Sequence, residues 1–181
     1  MNILVCIKQV PDTTEIKIDP VKHTLIREGV PSIVNPFDAC ALEMAVRLKE
    51  KEGGKVIVIS MGPAQAKNAL KECLAVGADQ AFLVTDRAFG GSDTLATSYI
   101  LSRAIAAVEA KTGEKFDLIF CGKQAIDGDT AQVGPEIAEH MDLPHVTLAT
   151  AVEMADGKLH VTRDTDEGHD LVEVSLPALV T

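Results

Sequence analysis

Val56-Ile57-Val58-Ile59-Ser60-Met61-Gly62-Pro63 carries an apolar run straight into a tight turn, and Ala64 to Val76 follows with helical spacing. The run does not alternate with polar residues, so both of its faces are buried, as in a strand of a parallel sheet. The helix over about Ala64 to Val76 puts Leu70, Cys73 and Leu74 on one face, and Gly77 ends it. Working outward, three more runs have the same character: Ile3-Leu4-Val5-Cys6-Ile7, Ala81-Phe82-Leu83-Val84 and Asp117-Leu118-Ile119-Phe120-Cys121. Helical patterns separate them. Asn35-Pro36-Phe37-Asp38 opens one, with Asn35 as N-cap and Pro36 at the first helical position, and it runs to about Glu52. Another begins at Ser92 or Asp93 and ends near Gly113. A fourth spans about Thr130 to Met141, and Pro135, which lacks an amide, keeps it irregular before about Val133. Strand–helix–strand repetition predicts an α/β fold, a doubly wound and mostly parallel sheet, as a single domain over residues 1–181.

Two segments depart from that repetition. Ile16-Lys17-Ile18 and Thr24-Leu25-Ile26, joined through Asp19-Pro20, read as a small hairpin. After Pro144 the pattern becomes strand-only: Leu148 to Met154, Leu159 to Arg163 and Leu171 to Leu176, an antiparallel meander at one edge.

The composition excludes several classes of function. The net charge of −10 argues against nucleic acid and anionic membrane as partners, since both need basic surface. Aromatic residues make up 3% of the chain with no Trp, so the core and any ligand pocket are largely aliphatic. Cys6, Cys40, Cys73 and Cys121 form no CxxC and no metal-ligand spacing, and read as free thiols of a reducing compartment. The five histidines are scattered, and Asp164, Asp166, Glu167 and Asp170 read as a solvated turn. Met1 leads directly into a strand, and no apolar stretch reaches the about 18 residues of a membrane span, so the expectation is a soluble cytoplasmic protein without membrane insertion.

In open α/β sheets ligands bind beyond the carboxyl ends of the strands. Four such ends carry unusual residues here: Lys8-Gln9-Val10-Pro11-Asp12, Ser60-Met61-Gly62-Pro63, Asp86-Arg87-Ala88-Phe89-Gly90-Gly91-Ser92-Asp93-Thr94, and Gly122-Lys123-Gln124-Ala125-Ile126-Asp127-Gly128-Asp129-Thr130-Ala131-Gln132-Val133-Gly134-Pro135. The last is long and polar for a strand-to-helix loop. Gly128 and Gly134 are read as permitting unusual backbone, which frees amides between Gln124 and Gly134 to hold phosphate without cationic side chains. Asp127 and Asp129 would repel phosphate and read as caps or as acceptors for sugar hydroxyls. Thr94, Thr97 and Ser98 could donate hydrogen bonds. No P-loop, no G-x-G-x-x-G after the first strand and no G-x-S-x-G elbow is present.

Val5 to Asp12, Asn35 to Asp38, Met61-Gly62-Pro63-Ala64, Ala75-Val76-Gly77-Ala78-Asp79 and Gly122 to Asp129 resemble, in order and over the whole chain, the β subunit of electron-transfer flavoproteins. The resemblance implies an adenine-nucleotide-binding α/β fold and an α-subunit partner that carries FAD. It also implies a site for AMP in simple members, or for a second FAD in the electron-bifurcating branch. Asp86 to Ser98 resembles the bifurcating pattern, in which NADH reduces that FAD. One electron then goes to the α-subunit flavin and the other to ferredoxin or flavodoxin. The non-bifurcating alternative takes electrons from acyl-CoA dehydrogenases. By position, Cys6, Asn35, Phe37, Asp38, Met61 and Gly62 would line the adenosine pocket. Gln124 and Gly128 through Gly134 (Asp129, Thr130, Ala131, Gln132 and Val133 included, with Asp127 just before) would hold the phosphates. Asp93, Thr94 and Thr97 would reach the flavin. No acid–base catalyst is expected. The family's recognition loop and arm lie beyond Thr181 and are absent from this sequence. Readings of another class are a stress-type ATP-binding protein and, from Phe89 to Thr94, an ATP pyrophosphatase.

Overall fold

Lys55 to Met61 and the three runs like it pair side by side, because each has two apolar faces to hide. The computed structural model describes residues 1–12 and 31–181. The expected hairpin at Ile16–Ile18 and Thr24–Ile26 lies outside the described residues. Strand β1 (Asn2–Cys6) leads through the short antiparallel pair β2 (Gln9–Pro11) and β3 (Ser32–Val34) to helix α1 (Pro36–Glu52). Then follow β4 (Lys55–Met61), α2 (Lys67–Val76), β5 (Gln80–Val84), α3 (Thr94–Thr112), β6 (Leu118–Phe120), α4 (Val133–Met141) and β7 (His145–Val146). A meander of β8 (Ala149–Ala155), β9 (Lys158–Thr165) and β10 (Gly168–Val174) precedes β11 (Ala178–Val180).

The central sheet has the order β5-β4-β1-β6-β11-β7, and every pairing in it is parallel. Successive strand residues point to opposite faces. Ile3, Val5, Val56, Val58, Leu118 and Phe120 pack with Leu42, Ala45 and Val46 of α1 and Leu70 of α2. Leu4, Cys6, Ile57, Ile59, Ile119 and Cys121 pack on the other face with Leu101, Ile105 and Val108 of α3 and Ile137 and Ala138 of α4. The sheet is therefore doubly wound, as its uniformly apolar strands predict.

Three details differ from the sequence reading. The meander does not extend an edge of the main sheet but forms its own three-stranded sheet, attached to the α1 side through Leu159 and Val161. The chain then returns, and β11 inserts between β6 and β7, pairing Leu179 with both Ile119 and His145. Ala64–Ala66 forms a single 3-10 turn ahead of α2 rather than its first α-helical turn.

Candidate functional site

From β1 the chain passes to β4 on one side, and later to β6 on the other. The carboxyl ends of β1 and β6 therefore flank the topological switch point, where an open sheet leaves a crevice. A cavity of about 850 Å³ opens there, toward the upper end of the about 300–1,000 Å³ range of ligand sites. Its walls come from the segments following β1, β4, β5 and β6. All the residues expected at the site line it except Phe37, Asp127 and Asp129. Phe37 instead faces a second cavity of about 280 Å³ beside Met44 and Leu148.

Asp38 holds the floor together. Only 7% exposed, it accepts hydrogen bonds from the Lys8 amide (2.7 Å) and the Gly122 amide (3.1 Å), and so ties the end of β1 to the end of β6. Burial pushes its carboxyl up to about 6, against the downward pull of those amides, Asn35 and the Lys8 charge. Gly122 must be glycine: a Cβ there would overlap Asp38 Oδ1 and lie 2.7 Å from the Phe37 carbonyl carbon.

Asn35 precedes α1 but makes no side-chain cap. Its Nδ2 donates to Gln124 O (2.8 Å) and its Oδ1 accepts from Ile126 N (3.2 Å), so it pins the long loop after β6. The sequence reading as an N-cap missed this role, because nothing local signals a partner 89 residues away. Lys8 Nζ pairs with Asp127 Oδ1 at 2.6 Å, which holds that carboxylate out of the crevice lining.

Beyond Asp127 the loop turns into α4. Ala131 has φ 54, followed by Gln132 at φ −101, ψ −35. A left-handed residue followed by a right-handed one turns successive amides toward one concavity, an arrangement that binds anions. Among the described residues, the amides of Ala131, Gln132, Val133 and Gly134 have no acceptor, and the first intrahelical bond runs from Glu136 N to Gln132 O. The expected glycine logic is corrected here, since neither Gly128 nor Gly134 has positive φ and the strained residue is Ala131. Gly134 is needed for closeness instead, as a Cβ would sit 2.7 Å from Thr181 Cγ2 and 3.4 Å from Cys121 Cβ.

At the third wall, Asp93 caps α3 by accepting from Ala96 N (2.8 Å), and Asp86 accepts from Ala88 N (2.9 Å). Thr94 Oγ1 donates to Glu136 Oε1 (3.2 Å), joining the starts of α3 and α4. Ser98 is buried and bonds Leu95 O, so it is a helix residue rather than a ligand donor. Lys8, Arg87 and Lys123 also line the crevice and were not counted among the expected site residues. Their position directly after strands was the signal that could have identified them. Among the described residues no group of three or more His, Cys, Asp or Glu side chains could hold a metal, and no helix is long and apolar enough to cross a membrane.

Residues 22–181 match the family model described as electron transfer flavoprotein domain. The whole chain is 60% identical to the electron transfer flavoprotein subunit beta of Thermoanaerobacterium thermosaccharolyticum and 59% identical to that of Clostridium acetobutylicum. It is 54% identical to the caffeyl-CoA reductase-Etf complex subunit CarD of Acetobacterium woodii. The chain spans 67–68% of the length of these three relatives.

Proposed function

Since this chain belongs to the electron transfer flavoproteins, as a β subunit, we propose that its switch-point crevice holds an FAD by the diphosphate, with the adenosine toward the floor. The observation that carries this reading is the set of amides from Ala131 to Gly134 without an acceptor among the described residues, on a segment lining a crevice that Lys8, Arg87 and Lys123 also line. Bound there, FAD supplies hydride acceptance from NADH and one-electron transfer to other centres. The chain's own residues then bind, orient and shield. Ala131 to Gly134 supply amide donors at the positive end of α4. Asn35 and Asp38 fix the loop and the floor. Met61, Gly62 and Cys6 face the adenosine, and Thr97 faces the flavin side. The cavity volume favours a dinucleotide, since a mononucleotide would leave the wall from Asp86 to Thr97 uncovered.

In this reading residues 1–181 act as one cytoplasmic nucleotide-binding domain. It docks with an FAD-carrying α subunit, and NADH electrons divide between the α-subunit flavin and a ferredoxin or flavodoxin. The name of the CarD relative places that protein in a caffeyl-CoA reductase-Etf complex. A flavoenzyme of the acyl-CoA dehydrogenase type is the corresponding partner proposed here. A second reading, structural AMP without bifurcation, draws on one observation: Asp93 and Thr94 are already engaged by Ala96 and Glu136. Denaturing the complex with its α partner and counting released cofactors decides between them. Two FAD per heterodimer supports the first reading; one FAD with one AMP sinks it.

A further inference from the structure

Cys6 ends β1, and Cys121 follows β6, the strand beside it. The parallel register pairs Val5 with Phe120, so one further step along both strands brings the two cysteines abreast. Neighbouring strands lie about 4.8 Å apart, inside the roughly 4.4–6.8 Å Cα separation that a disulfide spans. Both side chains pack on the α3–α4 face, and both line the crevice. Both are free thiols. The remaining cysteines are elsewhere: Cys40 is exposed on α1, and Cys73 is buried on the opposite face of the sheet.

We infer that Cys6 and Cys121 form a cross-strand dithiol, which a hydroperoxide converts to a disulfide across the switch point when the crevice is empty. The dithiol stands on strand register and does not depend on the proposed nucleotide; only the protection described below rests on that reading. The neighbouring Cys6, then burial, push the Cys121 thiol well above its ordinary range, so Cys121 keeps its proton and the attack is assigned to Cys6. The Cys6 thiolate attacks one peroxide oxygen, the O–O bond breaks, and hydroxide leaves with a proton as water. The resulting sulfenic acid is displaced by the Cys121 sulfur, an S–S bond forms, and the second oxygen departs as water. Two thiols lose two electrons in all, and hydrogen peroxide takes them up as it becomes two waters.

The consequence reaches the anion site. A Cβ on Gly134 would lie 3.7 Å from Cys121 Sγ, so the first turn of α4 rests on this thiol. Drawing Cys121 toward Cys6 shifts the surface that supports the Ala131–Gly134 amides.

The test treats the reduced, nucleotide-free 181-residue chain with hydrogen peroxide and maps the products by peptide mass spectrometry. A cross-linked peptide pair carrying Cys6 and Cys121 is expected. It should vanish in Cys6→Ser and in Cys121→Ser and persist in Cys40→Ser and Cys73→Ser. Sulfinic acid at Cys6 with no cross-link, or a cross-link through Cys40, overturns the inference. AMP at about 100 times its dissociation constant should slow the oxidation about 100-fold, since only the empty fraction reacts. A Cys6–Cys121 cross-link that forms as fast with AMP supports the dithiol and counts against the nucleotide site instead.

Discussion

Replacing Asp38 by Asn tests whether a buried carboxylate braces the crevice at an electrostatic cost. Its carboxyl is raised from 3.8 to about 6, a difference of about 2 units. At about 1.36 kcal/mol per unit, this corresponds to roughly 3 kcal/mol between the two protonation states. The sign follows from linkage. The folded protein holds this proton more tightly than the unfolded chain, so the associated stability is fully present below pH 3.8 and is lost as pH rises through about 6. Asp38→Asn removes that dependence. It also replaces one of two acceptor oxygens by a donor, so one of the Lys8 and Gly122 amides loses its partner, at about 1–3 kcal/mol. Near neutral pH the two effects oppose and the variant should be close to wild type in stability. Between about pH 6 and pH 4 the wild type should gain on the variant by about 2 kcal/mol, most of the roughly 3 kcal/mol total. Urea unfolding of both proteins across that range measures the difference directly. A wild-type-minus-variant difference that stays constant with pH would refute the reasoning, because Asp38 would then titrate alike in both states.

Gly122→Ala should destabilise by about 1–3 kcal/mol, because its Cβ meets backbone and the Asp38 carboxylate, whereas Gly128→Ala, with nothing within 4 Å, should leave the melting temperature nearly unchanged. Asn35→Ala strands the Ile126 amide and frees Gln124 O, so AMP or FAD titration should show about tenfold weaker binding or worse, that is, at least about 1.4 kcal/mol. Lys8→Met leaves Asp127 unpaired just outside the crevice, free to turn toward it. Little stability is at stake in so exposed a pair, but nucleotide affinity should fall, and the deficit should shrink in high salt; a salt-independent deficit would point to lost packing instead.

The fold was legible where hydrophobic pattern alone decides it. Uniformly apolar runs at Ile3, Val56 and Leu118 have no solvent face, which is enough to predict a covered parallel sheet. The position of β11 was not legible. Ala178-Leu179-Val180 is three residues long, and its place between β6 and β7 is chosen by pairings made across the whole domain. The crevice was legible as a set of strand ends, and most of the expected residues line it. What failed was the assignment of cause. Glycine was credited with the unusual backbone of the loop, yet Ala131 adopts it, held by context that no local rule contains. Asn35 and Asp38 fit helix-start statistics, but their side chains serve β1 and the loop after β6.

A protein of net charge −10 that is to hold a diphosphate must keep its own carboxylates from competing for the same donors. Four aspartates in or beside the crevice are each already committed. Asp38 accepts from Lys8 and Gly122, Asp86 from Ala88, Asp93 from Ala96, and Asp127 pairs with the Lys8 ammonium. Each interaction takes up a donor next to an acid and leaves the Ala131–Gly134 amides as the uncommitted ones. Those amides carry no counter-charge of their own, and the left-handed turn at Ala131 aims them before any ligand arrives. Anion binding is therefore compatible with these four acids, because each is engaged within the scaffold while the backbone supplies the field. It follows that Asp86→Ala or Asp93→Ala, although each removes a negative charge near the site, should weaken nucleotide binding rather than strengthen it. Either change strands an amide and loosens the wall it anchors. Tighter binding by these variants in AMP titrations would mean that net charge, not amide placement, governs the site.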